Sequence, residues 1–177
     1  ALRLQVVEAF EKVCEKVFTF IGETFERSFL EWSDSSGEVE GGYKLSMHAV
    51  YTDPKLGFEY NRANKPDRDP RKSLNEFGKL CIQESQPFEH LWFNQLEDGN
   101  IKRKCMIDAN VWTTNRCMRC VGCHKPGETR TLLPLNVATN AIDRDFTRSD
   151  IEKSLISRTE APPSPCVITT ALVAPKK

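Results

Sequence analysis

The sequence has no apolar run long enough to cross a bilayer and no basic-then-apolar leader ending in a small-residue cleavage site. It therefore reads as an intracellular chain without a membrane partner. It also has no surplus of either charge: 25 Lys and Arg balance 25 Asp and Glu, which excludes a general polyanion-attracting field and leaves nucleic-acid contact to a local patch. No internal repeat is present. The seven cysteines are an odd number, and Cys14 and Cys81 fall inside apolar helical patterns, which fits reduced core thiols better than a secreted disulfide framework. Disorder is excluded as well, because 39% hydrophobic residues in 177 suffice for one modest core. Ala1 enters directly into helical periodicity, so a piece of a longer protein is expected.

Leu4, Val7, Phe10, Cys14, Val17, Ile21, Phe25 and Phe29 recur every three or four residues, which predicts one long amphipathic helix. After a turn-rich connection, Tyr43 to Thr52 reads as a strand with Lys44, Ser46 and His48 on one face. A polar loop follows, and Asp69 with Pro70 predicts the cap and first position of a helix carrying Leu74, Phe77, Leu80 and Cys81. Asp98-Gly99-Asn100 is a turn signal, Cys105 to Thr113 reads as a strand, and Arg116 to Leu135 as a basic hairpin or bent strand. Thr147 or Ser149, with Asp150 or Glu152 reaching back, predicts a capped helix through Arg158. The expected organisation is an α+β domain over residues 1–158 and a Pro-rich linker or tail over 159–177.

Three groups on the first strand have the chemistry that a triphosphate needs. Lysine is a point charge, while a hydroxyl and an imidazole each make one well-placed bond, and arginines elsewhere would add planar forks. Lys44, Ser46 and His48 supply three of these from one rigid face, although a plain solvent face has the same pattern. On the second strand Asp108 would sit inside an apolar element. A carboxylate there needs a cation, either a divalent metal or Arg116 or Arg119. Local positive charge is available from Ile101 to Arg130, with Lys102, Arg103, Lys104, Arg116, Arg119, Lys125 and Arg130, which a solvated hairpin would equally explain.

In order and spacing these residues resemble the archaeo-eukaryotic primase superfamily, in its primase-polymerase branch that includes the herpesvirus primase catalytic subunit. The strand GGYKLSMHAVY, preceded by DSS, is similar to the family's second motif, a Ser-x-His that holds nucleotide phosphates. The stretch IDANVWTTNRCMRCVGCHK is similar to its third motif, with Trp112 where the family has Tyr and Lys125 six positions after Arg119. The resemblance runs from the first helix to Ile156 and implies a DNA primase or primase-polymerase catalytic core. Such a core transfers nucleotides to a primer on a DNA template with Mg²⁺ or Mn²⁺. It further implies Asp108 as the metal ligand, with Asp108 and His48 catalytic. Lys44, Ser46 and His48 would contact the triphosphate, and Arg116, Arg119 and Lys125 would line the nucleotide and template side. Replication proteins are the implied partners of the C-terminal tail. The family's first motif, an acidic pair on a strand before the long helix, is absent, so this chain alone is expected to bind better than it catalyses.

A competing chemistry occupies the same stretch. Cys105, Cys117, Cys120, Cys123 and His124 hold enough ligands for tetrahedral zinc if the chain turns at Gly122. The alternative function is thus a zinc-stabilised module that binds nucleic acid or protein without catalysis.

Overall fold

The computed structural model describes residues 2–53, 69–71, 73–112 and 118–154. Their elements are α1 (Leu2–Ile21), β1 (Leu30–Asp34), β2 (Gly37–Val39), β3 (Gly42–Lys44), β4 (Met47–Tyr51), α2 (Leu74–Glu84), β5 (Trp92–Glu97), β6 (Asn100–Cys105), β7 (Leu133–Asn136), β8 (Ala141–Ile142) and α3 (Arg148–Lys153). The fold is mixed α+β, and every described strand pairing is antiparallel. The described residues form two compact units: 2–25 with 69–71 and 73–112, and 26–53 with 118–154.

In the first unit α1 buries Val6, Val7, Ala9, Val13, Cys14, Val17, Phe18 and Ile21, one stripe at helical spacing. Each fully buried Val or Ile contributes about 1.5–3 kcal/mol. The helix ends eight residues before the expected Phe29, for a local reason. Gly22 adopts φ +84°, its N–H donates to Thr19 O (3.1 Å), and the Glu23 N–H donates to Phe18 O (2.9 Å). These are the two bonds of a Schellman stop, which only a residue tolerant of left-handed backbone makes cheaply. Phe25 then turns back onto Phe18, ring centroids 5.5 Å apart, and Phe77 of α2 meets Phe18 edge-on at 5.9 Å.

The second helix also starts later than predicted. Ser73 caps it, accepting from Glu76 N, whereas Asp69 spends both carboxylate oxygens on Arg71, taking its backbone N–H and its guanidinium at 2.9 Å. Cys14 and Cys81 are buried free thiols, as their patterns predict. Burial raises the Cys14 thiol well above its ordinary range and pushes Cys81 up to about 12.

The β5–β6 hairpin turns on Asp98 and Gly99, both with positive φ (52° and 77°), the backbone that an Asp-Gly pair favours between strands. Its cations are all paired nearby. Lys102 and Lys104 both pair with Glu97, while Arg103 pairs with Glu89 at 2.7 Å and lies 5.1 Å from the Trp92 ring. This half of the basic run is a solvated hairpin.

The second unit is built on a four-stranded sheet in the order β4-β1-β7-β8. Its β1 sets Ser33 opposite His48 and Asp34 opposite Met47 on one side, and pairs with Pro134 and Leu133 on the other. Leu30, Trp32, Val121, Leu132 and Leu135 are its buried apolar residues. A separate two-stranded ribbon, β2–β3, pairs Gly37 with Lys44. Thr147 stands before α3, where Asp150 Oδ2 accepts from both its N–H and its hydroxyl at 2.7 Å, the carboxylate reaching back to the cap as predicted. α3 ends at Lys153 with Ser154 as its C-cap, and residues 155–158 of the predicted helix lie outside the described residues, as does the tail over 159–177.

Candidate anion-binding site

The strand predicted for Tyr43 to Thr52 is two strands, and what divides it builds the site. Serine hydroxyls compete with backbone ladders. Ser36 Oγ accepts the Ser46 N–H at 2.8 Å, and the Ser35 N–H donates to Ser46 O at 2.8 Å. The chain breaks at Leu45–Ser46, leaving Lys44 at the end of β3 and His48 on β4. The three groups therefore do not share one strand face. Ser46 is nonetheless fixed, its hydroxyl 3.1 Å from Ser35 Oγ, with the turn tightened by Asp34 Oδ1, which accepts the Ser36 N–H.

Residues 118–132 approach this point as a loop rather than as the expected hairpin. Two reverse turns shape it. Cys120-Val121-Gly122-Cys123 closes with Cys123 N–H donating to Cys120 O (3.1 Å) and Gly122 at φ +85°. Lys125-Pro126-Gly127-Glu128 closes with Glu128 N–H donating to Lys125 O (3.0 Å) and Gly127 at φ +78°. Positive φ at the third position alone defines type II turns, and Pro126 suits the second position. Paired bonds between Gly122, Cys123 and Leu132 hold the loop's base, and the Val121 N–H donates to the buried Ser154 Oγ at 2.9 Å.

From this loop Arg119 reaches Ser35 Oγ with Nη2 at 2.9 Å, bridging 84 positions of sequence, and its Nη1 donates to Arg130 O at 3.4 Å. Arg119, Ser35 and Ser46 thus form one connected chain of polar groups. His48 is half-buried beside it. Burial, then the positive fields of Arg119 and Lys125, lower its imidazole below the usual histidine range. Arg130 pairs with Glu128 at 2.6 Å, and its stem lies so near Gly37 that a Cβ there would sit 3.1 Å from Arg130 Cδ. Burial alone would raise the Glu128 carboxyl, but the Arg130 hydrogen bond and the charges of Arg130, Lys125 and Lys44 carry it below the usual carboxylate range. Lys44, Ser46, His48, Arg119 and Lys125 therefore converge in this unit.

Ser35, Ser36, Glu128 and Arg130 were not singled out from sequence as site residues. The signals were the serine pair beside Asp34 and the Pro-Gly turn that places Lys125 next to Glu128.

Asp108 departs from expectation. The strand ends at Cys105, and residues 109–112 form a tight helical turn. Asp108 is exposed, and its Oδ1 accepts from Asn110 N and Asn110 Nδ2, both at 2.9 Å. An Asp followed two residues on by Asn makes this local turn in preference to extending a strand. Arg116 and Cys117 lie outside the described residues. Cys120 is half-buried, Cys123 is exposed, and His124 Nδ1 lies 3.0 Å from Lys125 O. Among the described residues no three His, Cys, Asp or Glu side chains converge as a metal cage, and no helix is long and apolar enough to cross a membrane.

The arrangement defines an α+β protein with four cations, an imidazole and three serine hydroxyls gathered around one loop. No family model, curated protein or solved structure matches the chain.

Proposed function

We propose that this chain carries the nucleotide-binding part of a DNA primase-polymerase catalytic core, which joins nucleoside triphosphates to a primer on a DNA template. One observation supports this best. Ser46 of the Ser-x-His pair and Arg119, the second arginine of the Arg-x-x-Arg stretch, lie far apart in sequence and are linked through Ser35. Arg119 would grip phosphate oxygens as a fork, Lys125 and Lys44 would balance charge, and Ser46 would donate one fixed bond. His48, neutral while the site is empty, would take a proton as the anion arrives. As the nucleotide reacts, negative charge moves onto the departing pyrophosphate, which Arg119 and Lys125 would steady.

Mg²⁺ or Mn²⁺ would supply activation of the attacking primer hydroxyl. Asp108 is the residue that the resemblance offers for it, but one exposed carboxylate is not a cage for an ion that seeks about six oxygens.

The test is calorimetric titration of ATP and dATP into wild type, Ser46→Ala and Arg119→Ala protein. Losing a charge-assisted contact costs about 1.5–3 kcal/mol, so Arg119→Ala is expected to bind at least ~10-fold more weakly. Failure of the wild type to bind either nucleotide would remove this proposal.

The type II turn that brings Cys120 and Cys123 to its two ends favours the zinc-module alternative. Elemental analysis separates the two: stoichiometric zinc that is lost on Cys120→Ser, with no nucleotide binding, would select the alternative.

A further inference from the structure

Arg130 sits deeper than a surface ion pair requires. Its side chain is 17% exposed and that of Glu128 33%, and Nη2 alone reaches the carboxylate, while Nη1 is buried and has no hydrogen-bond partner. A buried guanidinium donor without an acceptor is costly, and an Arg–carboxylate pair normally uses both prongs of the fork. The surroundings hold the arginine rather than the glutamate. Gly37 admits its stem, and its backbone carbonyl accepts from Arg119. Glu128, by contrast, hangs at the end of the Lys125-Pro126-Gly127-Glu128 turn, where it meets the fields of Lys44, Lys125 and Arg130 together. It is a carboxylate common to three of the site's four cations.

We propose that Arg130 is a further polyphosphate-binding residue and that Glu128 is its resident counter-ion, which an incoming polyphosphate displaces. The inference rests on the loop being a triphosphate site. With the ligand bound, two phosphate oxygens take both prongs of Arg130, so the unpartnered Nη1 gains its acceptor. Glu128 swings to solvent from the end of its turn, just after Gly127. While the site is empty, the carboxylate keeps four clustered cations from repelling one another and weakens capture of stray anions. Polyphosphates, with several oxygens to offer at once, displace it more readily than single phosphate ions.

The test uses inorganic tripolyphosphate, titrated calorimetrically without divalent cation at about 0.15 M salt, where screening acts over ~8 Å. Glu128→Gln keeps an acceptor for Arg130 but removes the charge, and it is expected to tighten binding about tenfold. Arg130→Lys keeps the charge but loses the fork, and it is expected to weaken binding about tenfold. Glu31→Gln, which removes a carboxylate paired with Lys153 at 3.5 Å, serves as the control and should leave affinity unchanged. Melting curves show whether each variant is folded. A wild type that binds, with Glu128→Gln equal or weaker, overturns the counter-ion role while leaving the triphosphate site standing. Folded wild type and Glu128→Gln that both fail to bind overturn both. Binding unchanged in Arg130→Lys removes Arg130 from the ligand contacts.

Discussion

His48 is the residue whose surroundings make the sharpest statement about pH. Burial first, and then Arg119 and Lys125, hold its folded pKa below the unfolded value near 6.5. Between those two values the unfolded chain binds the extra proton, so stability is fully present above the unfolded pKa and declines as pH falls below it. Ligand binding runs the other way. A polyanion favours the imidazolium, so tripolyphosphate affinity should rise as pH falls from about 7.5 towards 6. In His48→Gln the part of that slope due to the imidazole should vanish, and an identical pH profile for the two proteins would rule out His48 as a neighbour of the anion. Residue types made this site legible in sequence, since Ser46, His48, Arg119 and Lys125 carry the right donors. Ser35 was not legible, because its role depends on lying beside Ser46 across a broken strand pairing. Asp108 misled for the opposite reason: alternation suggested a strand, and its own bonds to Asn110 closed a turn instead.

At the scale of elements, the loop stands on its two glycines, and they differ. Gly122 has φ +85° and a phenylalanine where a Cβ would go, 2.9 Å from Phe146 Cζ, whereas Gly127 has φ +78° and open space. Left-handed backbone costs a non-glycine residue ~1–2 kcal/mol, so Gly127→Ala should lose about that much and Gly122→Ala more, with weakened anion binding. Equal loss in chemical denaturation would show that the Phe146 contact carries no weight. The helices make a chemical prediction. Cys14 and Cys81 are buried with raised thiol pKa values, so alkylation at pH 8 followed by peptide mapping should leave both intact in the folded protein while Cys123 reacts. Rapid modification of Cys81 would mean that the α1 and α2 packing opens readily. Periodicity revealed these helices, but their ends were set by features it does not contain, the Gly22 stop and the Ser73 cap.

For the whole molecule, the two units interleave in sequence, so no single cut releases either one. Substitution can still address them separately. Leu91 is 1% exposed in the first unit, and Leu132 is 0% exposed at the base of the loop in the second. Either change to Ala should cost ~2–5 kcal/mol through the cavity left behind. Leu132→Ala should also weaken tripolyphosphate binding, because the cavity loosens the buried base on which the loop's bonds to Gly122 and Cys123 rest, while Leu91→Ala should leave affinity unchanged under conditions where both variants are folded. Comparable loss of affinity in both would show that the base of the loop has no particular role in binding. The α+β class was visible in periodicity, and the turn at Asp98-Gly99 in its residue types; that this turn joins two antiparallel strands was not, since a strand was expected only from Cys105 onward. The division into units was not, since it depends on which distant segments meet, and a single sequence shows no pairings.

The Phe146 ring against Gly122 has a spectroscopic use. An α-proton of Gly122, lying where the Cβ would point, sits close to the aromatic circulation and should resonate away from the ordinary glycine position. That one signal, three residues from Arg119 and three from Lys125, would report by its movement whether the loop tightens or loosens when an anion arrives.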